Sequence, residues 1–171
     1  MEARHHLMSI IDAQRGQLNW YCLDFWSEQL HLDIVSLKEE IQHLIRFRPR
    51  GELFLQHLRA SRLETVMVTN AHRKSLDLKQ KHTCIKQYFN KIVSAHDFRI
   101  PKEDQRFWHK LSSLKPFDPQ KTLLIDDSVP VLQSAREFGI RYLLTILTPD
   151  SQQKPRDYSQ MNDFPAIRDF D

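Results

Sequence analysis

From residue 64 onward, the sequence alternates short runs of β-branched and leucine residues with longer amphipathic segments. The short runs predict four strands, within Glu64–Thr69, Asn90–Ser94, Lys121–Ile125 and Arg141–Ile146. The amphipathic segments predict helices between the strands, within Ala71–Thr83, Lys102–Leu114 and Ser128–Phe138. Strands that alternate with helices of this length are typical of an α/β domain with a parallel sheet.

The residues that precede this alternation carry a helical pattern. Apolar residues recur at three- and four-residue steps in Gln17–Leu32 and again in Ser36–Phe47, where Ser36 is a candidate N-cap. The pattern changes at Arg46–Gly51, which we interpret as a turn and a new helix start. We therefore divide the chain into a small helical unit, an α/β core and a polar C-terminal tail, at 1–46, 47–150 and 151–171.

Composition argues against several classes of function. The chain has 171 residues, of which 40% are hydrophobic and 27% charged, as in globular domains. A net charge of +3 is too small to predict nucleic-acid binding. No apolar run has the length of a membrane span, and the first residues do not resemble a signal peptide. Cys22 and Cys84 form no CxxC pair, so we expect a cytoplasmic protein without a disulfide framework or a metal cluster.

Polar residues suited to a phosphate ester follow three of the predicted strands. Thr69 and Asn70 end the first strand, Lys102 follows the second, and Asp126 and Asp127 follow the third. Ligands of open α/β sheets bind beyond the carboxyl ends of the strands. There a hydroxyl and amide groups can bind phosphate, a lysine can neutralise charge, and paired carboxylates can hold Mg²⁺. Each residue alone is better explained as a helix cap or a solvated side chain, but their order at the ends of successive strands predicts a site.

Three sequence segments resemble motifs two, three and four of the haloacid dehalogenase-like (HAD) hydrolases. They are VMVTNAH, IPKEDQRFW and LLIDDSVPVLQSAREFGI. Together with LNWYCLDFWSEQLHLDI and FGIRY, they are similar to the bacterial GMP/IMP 5′-nucleotidase group, over about Gln17 to Asp150. The resemblance implies a Rossmann-like parallel sheet flanked by helices, in which residues 1–46 are what remains of a small α-helical cap.

The resemblance also implies a chemistry. In this family an aspartate on the first strand attacks phosphorus to form an aspartyl-phosphate, a second aspartate acts as acid and base, and Mg²⁺ bridges nucleophile and phosphate. By motif, Thr69 and Asn70 would bind the phosphate, Lys102 would stabilise its charge, and Asp127, supported by Asp126, would hold Mg²⁺. The implied substrate is a small phosphate ester, a purine nucleoside 5′-monophosphate such as GMP or IMP. The partners implied include neither a nucleic acid nor a membrane.

The sequence departs from the family at the first motif, DxDGT, which is missing. We therefore expect the nucleophile and the first, central strand to lie outside this chain, and we interpret the chain as N-terminally truncated, beginning inside the cap. The strands ending at Thr69 and Ile125 would then have no neighbour between them, and we expect either poor solubility or a sheet that closes by bringing them together. Two alternatives stay open: a non-catalytic fragment or binding module, and a HAD phosphatase for another small phosphate ester.

The remaining features have simpler interpretations. Four aromatic residues lie close together in the cap segment: Trp20, Tyr21, Phe25 and Trp26. Such side chains can stack on a purine ring, but their helical spacing favours the interpretation that they pack in the apolar contact between the cap helices. Among nine histidines, only His72 follows a candidate site residue closely, and we expect it to support that site rather than bind a ligand. Three apolar residues of the tail are expected to dock as a short helix; they are Phe164, Ile167 and Phe170.

Overall fold

The structure, a computed structural model, describes residues 2–150, 152–161 and 163–170. Its helices are α1 (Glu2–Ala13), α2 (Leu23–Leu30), α3 (Ile34–Glu40), α4 (Gly51–Ala60), α5 (Arg73–Thr83), α6 (Ala95–Phe98), α7 (Gln105–Leu114) and α8 (Val129–Phe138). Its strands are β1 (Val66–Thr69), β2 (Lys91–Ser94), β3 (Leu123–Asp126), β4 (Tyr142–Ile146) and β5 (Ala166–Ile167). Short 3₁₀ helices lie at Leu18–Tyr21, Gln42–Leu44, Ile85–Tyr88, Pro119–Lys121 and Tyr158–Met161.

The strands form two parallel sheets. β1 pairs with β2, from Val66 opposite Lys91 to Thr69 opposite Ser94. β4 pairs with β3 on one side and with β5 on the other. The mixed α/β architecture with parallel strands flanked by helices confirms the predicted fold class.

The two sheets stay separate over the described ranges. No ladder joins β1 to β3 there, so the expected closing of the sheet does not occur. Side chains cross this divide instead. Lys102 reaches Asp126 beyond the carboxyl ends of the strands, and Val93 of β2 lies in the same buried apolar cluster as Leu124 of β3. The two facing strand edges therefore keep backbone groups that no neighbouring strand satisfies.

Two local predictions need correction. α3 begins two residues before Ser36, because the Asp33 carboxylate caps it by accepting from the backbone N–H groups of Val35 and Ser36, both at 3.1 Å. Ile167 lies in strand β5 rather than in a short helix, because its segment extends beside β4, with the Thr145 N–H donating to the Pro165 carbonyl at 2.8 Å.

The core joins both sheets to helices α7 and α8, and its buried residues include Val93 of β2 and Leu124 of β3. Its largest fully buried side chains are Trp108, Phe107, Phe164 and Leu132. Trp108 satisfies its indole N–H by donating to the Ser134 hydroxyl at 3.0 Å, which joins α7 to α8. No helix of the described residues is long and apolar enough to cross a membrane.

Candidate active site

Lys102 and Asp126 form a buried ion pair at the carboxyl end of β3. The Lys102 ammonium donates to Asp126 Oδ2, and the two side chains are only 9% and 7% exposed. Asp126 Oδ1 accepts the backbone N–H of Ser128 at 3.0 Å, so both oxygens of this carboxylate are engaged. The structure thus brings together two of the predicted site residues in an environment where their charges interact strongly.

Asn70 holds the backbone that carries Lys102. Its Oδ1 accepts the Lys102 N–H at 2.9 Å, and its Nδ2 donates to Glu103 Oε2 at 2.9 Å. Asn70 is itself 6% exposed, so water competes little for these bonds. Its side chain therefore positions the loop before α7, and its predicted part in phosphate binding stays a prediction.

Thr69 is the last residue of β1 and lies half-buried beside Asn70. Its hydroxyl oxygen accepts the backbone N–H of Ala71 at 3.0 Å. The Ala71 carbonyl in turn accepts from the Ser94 hydroxyl at 2.8 Å, which ties the ends of β1 and β2 together. Because a hydroxyl is also a donor, Thr69 keeps a hydrogen that it can offer to an oxygen of a ligand.

Asp127 differs from its neighbour in being exposed. Its carbonyl accepts from the Arg156 guanidinium, and its carboxylate accepts none of the hydrogen bonds found among the described residues. An exposed carboxylate next to a buried one supplies the hard oxygen ligands that Mg²⁺ takes, usually one or two carboxylates with waters and substrate oxygens. The exposed carboxylate of Asp127 therefore fits a magnesium ion as a direct ligand, whereas both oxygens of Asp126 already accept hydrogen bonds from Lys102 and Ser128.

Tyr21 joins the N-terminal helical segment to this loop. Its hydroxyl donates to Glu103 Oε1 at 2.8 Å, and burial together with that carboxylate raises the pKa of the phenol. Glu103 thus accepts from both Tyr21 and Asn70. Sequence reasoning missed Glu103, and the one signal for it was its place directly after Lys102.

The other aromatic residues of the predicted run are half-buried and contact one another. Phe25 and Trp26 meet edge to face with ring centroids 5.1 Å apart. The Trp26 indole donates to the Trp20 carbonyl at 3.0 Å. These contacts favour the interpretation as an apolar seam over that of a purine-stacking surface.

His72 lies against His96 in the structure. Their rings meet edge to face with centroids 4.9 Å apart. Burial lowers the pKa of the His96 imidazole, and the neighbouring His72 acts in the same direction. Sequence reasoning did not connect these two histidines, because 24 positions separate them and only the pairing of β1 with β2 brings their loops together.

Comparison with known proteins places these residues in a family. Residues 23–145 match the model of the haloacid dehalogenase-like hydrolases. The chain is 40% identical over 169 residues to the GMP/IMP nucleotidase YrfG of Escherichia coli K12, covering 99% of this chain and 75% of that protein.

Solved structures show the same fold. A HAD phosphatase from Thermococcus onnurineus superposes with a TM-score of 0.78 at 23% identity, over 98% of this chain and 75% of that chain. A HAD family enzyme from Bacteroides thetaiotaomicron, solved with magnesium and inorganic phosphate, gives 0.65 at 16% identity, over 92% of this chain and 84% of that chain. The match of more than half the chain to the family model and the 40% identity agree, and this chain belongs to the haloacid dehalogenase-like hydrolases.

Proposed function

We propose that this chain carries the phosphate- and metal-binding residues of a Mg²⁺-dependent phosphomonoesterase for purine nucleoside 5′-monophosphates such as GMP and IMP. The observation that carries the chemistry is the buried Lys102–Asp126 pair beside the exposed carboxylate of Asp127, beyond the carboxyl end of β3. The purine substrate rests on the 40% identity to a GMP/IMP nucleotidase, which extends over the cap segment. We also keep the cytoplasm as the predicted location.

Each residue has a role that its surroundings support. The Thr69 hydroxyl donates to a phosphate oxygen, and the Lys102 ammonium offsets the negative charge of the phosphate. Asp127, with Asp126 beside it, holds Mg²⁺, which neutralises phosphate charge when it is bound. Asn70 keeps the Lys102 backbone in place through its bond to the Lys102 N–H.

The reaction we propose is transfer of the phosphoryl group to an aspartate, followed by hydrolysis of the aspartyl-phosphate. The attacking carboxylate belongs to the DxDGT motif, which the 171 residues do not contain. The nucleophile is therefore supplied from outside this sequence. Thr69 and Lys102 bind and orient the phosphate but do not accept it.

The missing motif also supports a second candidate, a chain that binds a phosphate ester without turning it over. The two candidates differ in what happens when the motif is supplied. In an extended chain, where a segment carrying DxDGT precedes residue 1, the first candidate predicts hydrolysis. The second predicts binding alone.

The test is a substrate panel on the extended chain. We expect Mg²⁺-dependent phosphate release with a higher kcat/KM for IMP and GMP than for sugar phosphates. Lys102→Ala and Asp127→Ala should each abolish turnover, while the exposed Lys110→Ala on α7 should leave it unchanged. A sugar phosphate with the highest kcat/KM would overturn the substrate assignment, and full activity in Asp127→Ala would overturn the metal assignment.

A further inference from the structure

A cluster of one thiol and two imidazoles contains none of the carboxylates of the candidate active site. Cys22, His72 and His96 each offer one ligand atom, and these atoms all lie within 4.8 Å of one another. Cys22 is the N-cap of α2, His72 the N-cap of α5, and His96 lies in α6 just after β2. Three segments distant in sequence therefore converge on one point.

The two imidazoles present nitrogen atoms with no hydrogen-bond partner. His72 Nδ1 and His96 Nε2 are buried, and neither has a partner among the described residues. A buried polar atom without a partner is unfavourable and rare in folded proteins. A neutral imidazole nitrogen of this kind can bind a metal cation through its lone pair.

Neighbouring groups hold His72 and Cys22 in place. At metal sites, such groups orient the side chains that bind the metal. His72 Nε2 lies 3.6 Å from Asp24 Oδ2, and Nδ1 is the buried ring nitrogen without a partner. The Cys22 sulfur accepts the backbone N–H of Phe25 at 3.5 Å, which fixes its position at the start of α2. A carboxylate that faces the far nitrogen of a ligating histidine is the usual arrangement at zinc sites.

We propose that Cys22, His72 and His96 bind a divalent cation of the Zn²⁺ class. Thiolate and imidazole are ligands for borderline-soft metals and not for Mg²⁺, which takes oxygen. Bonds of about 2.0–2.3 Å place ligand atoms roughly 3.5 Å apart, so the cluster tightens by about 1 Å on binding. The Cys22 thiol releases its proton to solvent as the metal–sulfur bond forms.

The bound cation would join α2 to the loops that follow β1 and β2. Three protein ligands leave one tetrahedral position for water or another ligand. The site uses none of Thr69, Lys102, Asp126 and Asp127, so the inference is independent of the proposed phosphatase function. It adds a metal of a different class, held by different residues.

Cobalt titration of the 171-residue protein tests the proposal, because Co²⁺ bound to a thiolate has a charge-transfer absorption band. We expect one equivalent of Co²⁺ to produce the band and Zn²⁺, but not excess Mg²⁺, to abolish it. Cys22→Ser should remove the band, and His72→Asn or His96→Asn should raise the apparent Kd at least tenfold. Cys84→Ser and His82→Asn, which change an exposed cysteine and an exposed histidine elsewhere, should retain it. A band that survives Cys22→Ser, or that never forms, would overturn the proposal.

A second measurement needs no substitution and so does not depend on variants that fold. Alkylation of the unaltered protein, followed by mass spectrometry of its peptides, reports each cysteine separately. Zn²⁺ should slow alkylation of Cys22 at least tenfold and leave the exposed Cys84 unchanged. Equal effects on both thiols, or none on Cys22, would count against the site.

Discussion

The ammonium of Lys102 donates to the carboxylate of Asp126 in an ion pair that is more than nine-tenths buried on both sides. The pair links the loop before α7 to the end of β3. It thereby connects a loop that follows the β1–β2 sheet to a strand of the three-stranded sheet. Buried charges are stable only while they are paired and hydrogen-bonded. The ion pair therefore stabilises the fold and also holds two residues of the candidate active site in place.

Removal of one member of this pair should destabilise the fold. Asp126→Ala leaves the Lys102 ammonium buried without its counter-charge, and we expect the free energy of unfolding to fall by about 3–5 kcal/mol. Chemical denaturation at pH 7 measures this. Lys115→Ala breaks a more exposed ion pair, to Glu64 at 2.6 Å, and should cost only about 0–1 kcal/mol. Equal losses in the two variants would contradict the account.

Asn70 should matter through the loop it holds. Asn70→Ala leaves the Lys102 N–H and one Glu103 oxygen without their partner, and we expect a loss of about 1–3 kcal/mol. Hydrogen exchange at the Lys102 amide is the specific measurement, and it should become faster relative to core amides such as that of Leu132. Unchanged protection at Lys102 would show that the side chain does not hold this backbone.

Tyr21→Phe should weaken the link between the helical segment and the core. The variant loses the hydrogen bond to Glu103 at 2.8 Å, and we expect it to cost about 1–2 kcal/mol in thermal or chemical unfolding. The pKa of the Tyr21 phenol is higher in the folded state than its ordinary value of 10. The neutral phenol therefore stabilises the fold fully below pH 10, and this stabilisation is lost as the pH rises above 10. Alkaline destabilisation should therefore be weaker in Tyr21→Phe, and an identical alkaline profile would be evidence against the bond.

Asp104 should make the stability depend on pH in the acid range. The Arg106 guanidinium and the N–H of Arg106 hold the pKa of this N-cap carboxylate below its usual 3.8. The ionised group stabilises the folded state fully above pH 3.8, and the gain disappears as the pH falls through the lower folded pKa. The melting temperature of the parent should exceed that of Asp104→Asn by a few degrees at pH 6, and the gap should close near pH 2. A gap that stays equally wide at pH 2 would contradict the account.

The sequence predicts elements that depend on local pattern and misses relationships that depend on side-chain geometry. The strands around Val66–Thr69 and Leu123–Asp126 follow from runs of apolar residues, and the rule that ligands bind at strand ends locates Lys102 beside Asp126. The prediction that Ser36 is the N-cap of α3 is wrong. Serine and aspartate are both good N-caps, and the backbone conformation that places the Asp33 carboxylate over the first N–H groups of the helix is not visible in the sequence.

The metal cluster shows the limit more clearly. Fifty positions separate Cys22 from His72, and no spacing motif connects them, so the sequence predicts the magnesium ligands at the end of β3 but no site made of Cys22, His72 and His96. The two residues meet because the start of α2 packs against the loop that follows β1. Such convergence is a property of the tertiary structure and leaves no local pattern in the chain.

The most direct measurement of the central claim is Mg²⁺-dependent phosphate release from IMP, made in parallel on the 171-residue protein and on the extended chain. Loss of a covalent nucleophile lowers kcat by about 10⁶-fold, so the account predicts no detectable turnover by residues 1–171 alone. It predicts turnover by the extended chain that EDTA abolishes. Phosphate release by the purified 171-residue protein that EDTA abolishes and that follows the protein peak would contradict the claim that the nucleophile lies outside this sequence.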